Sequence, residues 1–78
     1  MNYTIAKTRD YNGMQYVNFD KLGNKYLVGF TGKAKSEYTH KTFDTLGEAL
    51  TVYQQFVRAF ITGDYSYEDR KSWLQEVE

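Results

Sequence analysis

The stretch Thr42-Phe43-Asp44-Thr45-Leu46-Gly47-Glu48-Ala49-Leu50 is where the periodicity of the chain changes. Up to Phe43 apolar residues recur every second position, the period of strands with one buried face. From Leu46 they recur as Leu46, Ala49, Leu50, Tyr53, Phe56, Val57 and Phe60, the stripe of an amphipathic helix. Thr45-Leu46-Gly47-Glu48 between them is a capping box: the Thr45 hydroxyl can accept from the Glu48 amide while the Glu48 carboxylate reaches back. One junction therefore divides a sheet-forming half from a helix-forming half.

Upstream, turn signals separate short alternating runs. Tyr3 and Ile5 alternate with Thr4 and Ala6, and Arg9-Asp10-Tyr11-Asn12-Gly13 reads as a hairpin turn, since Asn-Gly tolerates positive φ. Residues 14–19 put Gln15, Val17 and Phe19 on one side; residues 20–24 turn. Residues 25–31 put Tyr26, Val28 and Phe30 on one face, residues 32–36 turn again, and residues 37–43 form a polar edge strand. Connections this short require antiparallel pairing. Downstream, Gly63 is placed to close the long helix, and Ser66-Tyr67-Glu68-Asp69 starts a short one, with Tyr67, Arg70, Trp73, Leu74 and Val77 on one side and Trp73 as anchor. The expected fold is α+β over residues 1–78: an antiparallel meander of three to four strands, a long amphipathic helix and a short C-terminal helix, in two layers. The expected core is Tyr26, Val28, Phe30, Leu50, Phe56, Val57 and Phe60.

Composition narrows the function. Aromatic residues make up 18% of the 78 residues, far from the signature of a disordered chain. The sequence has no cysteine, so disulfides and thiolate metal sites are excluded, which suits a reducing cytoplasm. No apolar run reaches membrane-spanning length and the first residues do not form a signal peptide, so a soluble cytoplasmic protein is expected. His40, the single histidine, falls on the polar strand, and Ser36, Ser66 and Ser72 have no base at a readable spacing. No glycine-rich phosphate loop occurs. Asp64, Glu68 and Asp69 lack the spacing of a calcium loop, and the start of a helix accounts for them. No catalytic group, metal or cofactor is therefore expected, and the chain should act by binding.

Charge is zero overall but unevenly placed. Residues 1–43 carry seven basic side chains against three acidic, and residues 44–78 carry three against seven. Either half can steer a charged partner.

Two resemblances follow this division. Phe56, Ala59, Phe60 and Gly63, then Tyr67-Glu68-Asp69, then Trp73 and Glu76, resemble a segment of phage-encoded anti-CRISPR proteins that inhibit a type II effector nuclease. The match covers residues 55–77. It implies binding and inhibition of a host defence protein in the host cytoplasm, with Glu68 and Asp69 as contacts and Asp64 and Tyr65 beside them. The second runs from Lys25 to Ala49, where Phe43, Thr45, Glu48 and Ala49 are similar to the strand-to-helix entry of phage integrase arm-binding domains. It implies a sheet laid in the DNA major groove, with Lys33, Lys35, Lys41 and exposed tyrosines as contacts. Monomer and homodimer both stay open, because the polar strand could pair with its twin.

Overall fold

The computed structural model describes residues 2–9, 15–32, 36–63 and 67–74, and for Asp69 its backbone alone. Four strands, β1 (Asn2–Arg9), β2 (Tyr16–Leu22), β3 (Lys25–Thr31) and β4 (Tyr38–Phe43), form one antiparallel sheet in the order β1-β2-β3-β4. The long helix α1 (Leu46–Thr62) follows, then the single turn α2 (Tyr67–Arg70) and a 3-10 turn (Lys71–Trp73). The α+β meander is as the periodicity requires. No described helix is long and apolar enough to cross a membrane.

The ends of α1 form as their residues dictate. Thr45 is extended, with φ −122° and ψ 151°, and its Oγ1 accepts from the Glu48 amide at 3.3 Å. The Glu48 carboxylate accepts from the Thr45 hydroxyl at 3.1 Å, so it closes the box on the side chain. At the other end Gly63 takes φ 85°, a region open to glycine at no steric cost, and its N–H reaches the carbonyls of Ala59 and Phe60.

The strands run further than the turn signals suggest. Asp20, Lys21 and Leu22 belong to β2, and the loop to β3 is only Gly23-Asn24, with Gly23 at φ 60°. Pairing outweighs local turn preference here, because each of these residues has partners on both flanking strands. β1 likewise continues through Arg9. Its register shifts between Thr4 and Ala6, so Ile5 is a bulge, and Ala6 rather than Ile5 packs on the core. The Asn12-Gly13 turn lies outside the described residues.

Helix α1 covers one face of the sheet. The core joins Val17, Phe19, Val28, Phe30 and Phe43 from the strands to Ala49, Tyr53 and Phe56 from the helix, with Leu74 closing one end. Ring centroids of Phe30 and Phe56 are 4.9 Å apart, and Trp73 meets Phe56 edge-on at 4.9 Å. Tyr67 stacks on Phe30 at 5.8 Å, so the last segment is held by aromatic contacts. Of the expected core, Val28, Phe30 and Phe56 are fully buried, and Tyr26, Val57 and Phe60 pack against the cluster half-buried. Leu50 is the correction: it is 39% exposed. The buried row Ala49, Tyr53, Phe56 is centred to one side of it, and Leu50 falls on the flank of the stripe. The Trp73 anchor is shared, because Leu74 is the more deeply buried of the two. Val77 lies outside the described residues.

Candidate functional site

Helix α1 packs on one face of the sheet, and among the described residues no helix covers the second. Paired residues share a face, so register assigns each side chain once the covered side is known. Val17, Phe19, Val28, Phe30 and Phe43 lie beneath α1. The alternate positions lie on the other face, with Lys7, Arg9, Tyr16, Asn18, Gly29, Thr31, Tyr38 and His40 towards one end and Asp20, Leu22, Lys25, Leu27 and Thr42 towards the other.

Two of its cations, Lys7 and Arg9, share one corner, and Lys25 lies at the other end, paired with Asp44. Lys7 Nζ lies 3.9 Å from the centre of the Tyr16 ring and the Arg9 guanidinium 5.6 Å, both within cation–π reach. The backbone of Tyr16 is held to β3, its amide donating to Thr31 Oγ1 at 2.9 Å. Lys7 and Arg9 are exposed, and both are held at known positions over a ring. Of the acidic groups, Asp20 shares this face and Asp44 lies at the far end of β4. Asn18 Nδ2 donates to Asp20 Oδ2 at 2.8 Å, and Asp44 takes Lys25 at 3.1 Å.

Tyr38 and His40 occupy the adjoining ground, 5.5 Å between ring centres. The Tyr38 ring crosses the backbone at Gly29. A methyl group there would sit 2.7 Å from Asn18 Oδ1 and 2.9 Å from Tyr38 Cζ, and nearer still to the Tyr38 hydroxyl. Burial first, and the neighbouring Tyr16 phenol second, raise the Tyr38 hydroxyl above the ordinary tyrosine value; contact with Asn18 pulls it down and the Asp20 carboxylate pushes it up again. Asn18 Oδ1 and Asp20 Oδ1 are buried beneath this part of the face with no hydrogen-bond partner among the described residues. Gly29→Ala is expected to swing Tyr38 away from His40 and to cost about 1–3 kcal/mol, as inserted methyls do in tight sites. Urea unfolding and the Tyr38–His40 nuclear Overhauser contact report it. Unchanged stability with that contact retained would contradict the placement.

The residues singled out from sequence are scattered. Lys33 and Lys35 lie outside the described residues. Lys41 pairs with Val28 and so projects on the helix side, 5.5 Å above the Phe43 ring. Asp64 and Tyr65 also lie outside the described residues, and Asp69 is placed only as part of α2. Glu68 is 70% exposed and bonds Lys71 at 2.9 Å, which raises the Lys71 ammonium above its ordinary value. Among the described residues no three of His, Cys, Asp or Glu gather as metal ligands would. Sequence reading missed Lys7, Arg9 and Tyr16. The signal was the phase of β1 relative to β2, which the Ile5 bulge hides.

No family model matches the chain, and neither does any curated protein or solved structure.

Proposed function

We propose that the chain binds nucleic acid, and duplex DNA in preference to a single strand, through the uncovered face of its sheet. The observation that carries this reading is the Lys7–Arg9–Tyr16 cluster, two cations fixed over one ring on an open face. Fixed cations on a flat surface suit phosphates, whose neutralisation supplies most of the affinity for DNA. The preference for duplex rests on the rings. Single strands are held by free aromatic platforms, but Tyr16 already carries Lys7 and Tyr38 lies across Gly29. The resemblance of residues 25–49 to integrase arm-binding domains agrees with this use of a sheet backed by one helix.

Anisotropy of a labelled random-sequence duplex tests it. Binding with Kd of roughly 1–100 µM at physiological salt, weakening as salt rises, is expected, with the matching single strand weaker still. A second reading follows the anti-CRISPR resemblance: the acidic end, with exposed Glu68, inhibits a host defence protein. It is less supported, because Lys71 already holds Glu68. A chain that leaves DNA unbound but blocks a CRISPR effector nuclease would overturn the first reading in favour of the second.

A further inference from the structure

The apolar side chains that stay exposed fall mostly along one border of the molecule. Leu46, Leu50, Val57 and Ile61 lie within about 60° of one another around α1, a strip about 22 Å long down one flank of the helix. Tyr53 locates that flank: its hydroxyl is 2.7 Å from Thr8 Oγ1, so the strip runs along the β1 side of the helix. On β1, Tyr3 pairs with Lys21 on the helix-facing side, and Ile5 is the bulge beside Ala6, which packs on the core. Of the six large apolar side chains exposed among the described residues, only Tyr38 lies elsewhere. Single exposed apolar residues are ordinary, but a continuous border of them marks a contact surface.

The strip carries no charge. Glu48 and Arg58 are the charged residues of α1; Glu48 is held in the capping box, and Arg58 lines the side towards Trp73. Depletion of charge is the compositional mark of an interface centre. The spacing of the strip points to its occupant. Leu46 and Leu50 are separated as Val57 and Ile61 are, so the strip reads the same from either end. Two copies laid antiparallel set Leu46 against Ile61 of the second copy and Leu50 against Val57, as contact about a two-fold axis requires. We propose that the chain forms an antiparallel homodimer through this flank of α1, with Tyr3 and Ile5 at its rim. At about 200 Å² for a fully exposed residue of this size, the five side chains, each 39–79% exposed, offer roughly 500 Å². Two copies then bury about 1,000 Å², the lower limit for a specific interface, so the dimer is weak. This contact uses the helical layer and the β1 border, and it does not depend on DNA binding at the uncovered sheet face.

Sedimentation equilibrium should show the mass rising from one chain towards two, with Kd of roughly 10–100 µM for a contact of this size. Leu50→Lys and Ile61→Lys together should keep the chain monomeric up to about 1 mM, tenfold above that range. Both positions are exposed, so the unfolding midpoint of the dilute protein should stay unchanged. The sequence has no cysteine, so single-cysteine variants read the direction of pairing. An oxidised mixture of Leu46→Cys and Ile61→Cys should give mainly the mixed disulfide, because antiparallel contact brings these two positions together. A wild type that stays monomeric at about 1 mM, well above the expected Kd, would overturn the proposal. So would a lysine variant that still dimerises, which would place the contact elsewhere, as at the β4 edge, or cysteine variants that each cross-link with themselves in preference.

Discussion

Phe56→Ala should remove about 3–5 kcal/mol of stability, the usual cost of emptying a buried phenylalanine site. Phe56 is 0% exposed and touches both Phe30 on the sheet and Trp73 in the final segment. Its loss opens the helix–sheet interface and the docking of the chain end together. A domain of 78 residues has roughly 4–12 kcal/mol in all, so the variant should be marginally folded. At about 4–8 °C per kcal/mol, its thermal midpoint should fall by roughly 12–40 °C. Circular dichroism melting measures this. Leu50→Ala is the matched control: on the exposed flank of the same helix it should cost less than about 1 kcal/mol. Equal losses at the two positions would mean that α1 is rotated from the orientation described.

Replacing Lys7 and Arg9 together by glutamine should weaken duplex binding about 60-fold at 0.1 M salt. Each phosphate neutralised adds roughly 0.9 to the dependence of log affinity on log salt, so two lost contacts remove about 1.8 log units one decade below 1 M. Glutamine keeps part of each stem over Tyr16, which separates lost charge from lost packing. Lys41→Gln and Lys21→Gln serve as controls. Both lysines project on the helix side, Lys21 4.2 Å from the Tyr26 ring centre and Lys41 over Phe43, so their loss should change affinity little.

The sequence made the helical half easy to read and the sheet faces hard. Thr45 and Gly63 mark α1 because a capping hydroxyl and a left-handed glycine are local requirements, satisfied within a turn of the residue itself. Val17, Phe19, Val28 and Phe30 reveal the covered face because burial imposes a strict period of two. The extent of β2 was obscured because Asp20, Lys21 and Leu22 have turn-like neighbours, and strand pairing is a non-local fact. The side of the sheet that takes Lys7 and Arg9 depended on one residue. In unbroken alternation Lys7 and Arg9 share a side with Tyr3, which pairs with Lys21 on the helix-facing side. The bulge at Ile5 reverses the phase, and Lys7 and Arg9 come to the open side opposite Asn18 and Tyr16. An extra residue of this kind is set by the partner strand, and no local residue preference announces it. Lys41 shows the converse: its charge is legible, but its side of the sheet is fixed by pairing with Val28.

On the proposed function, Lys7 and Arg9 meet phosphates on the uncovered face. The salt dependence of duplex affinity, measured for the wild type and the Lys7→Gln, Arg9→Gln double variant, tests it most directly. The wild type should show a linear fall of log affinity with log salt, and the double variant a slope shallower by about 1.8 with an unchanged unfolding midpoint. Parallel lines for the two proteins, or a wild-type affinity indifferent to salt, would contradict it.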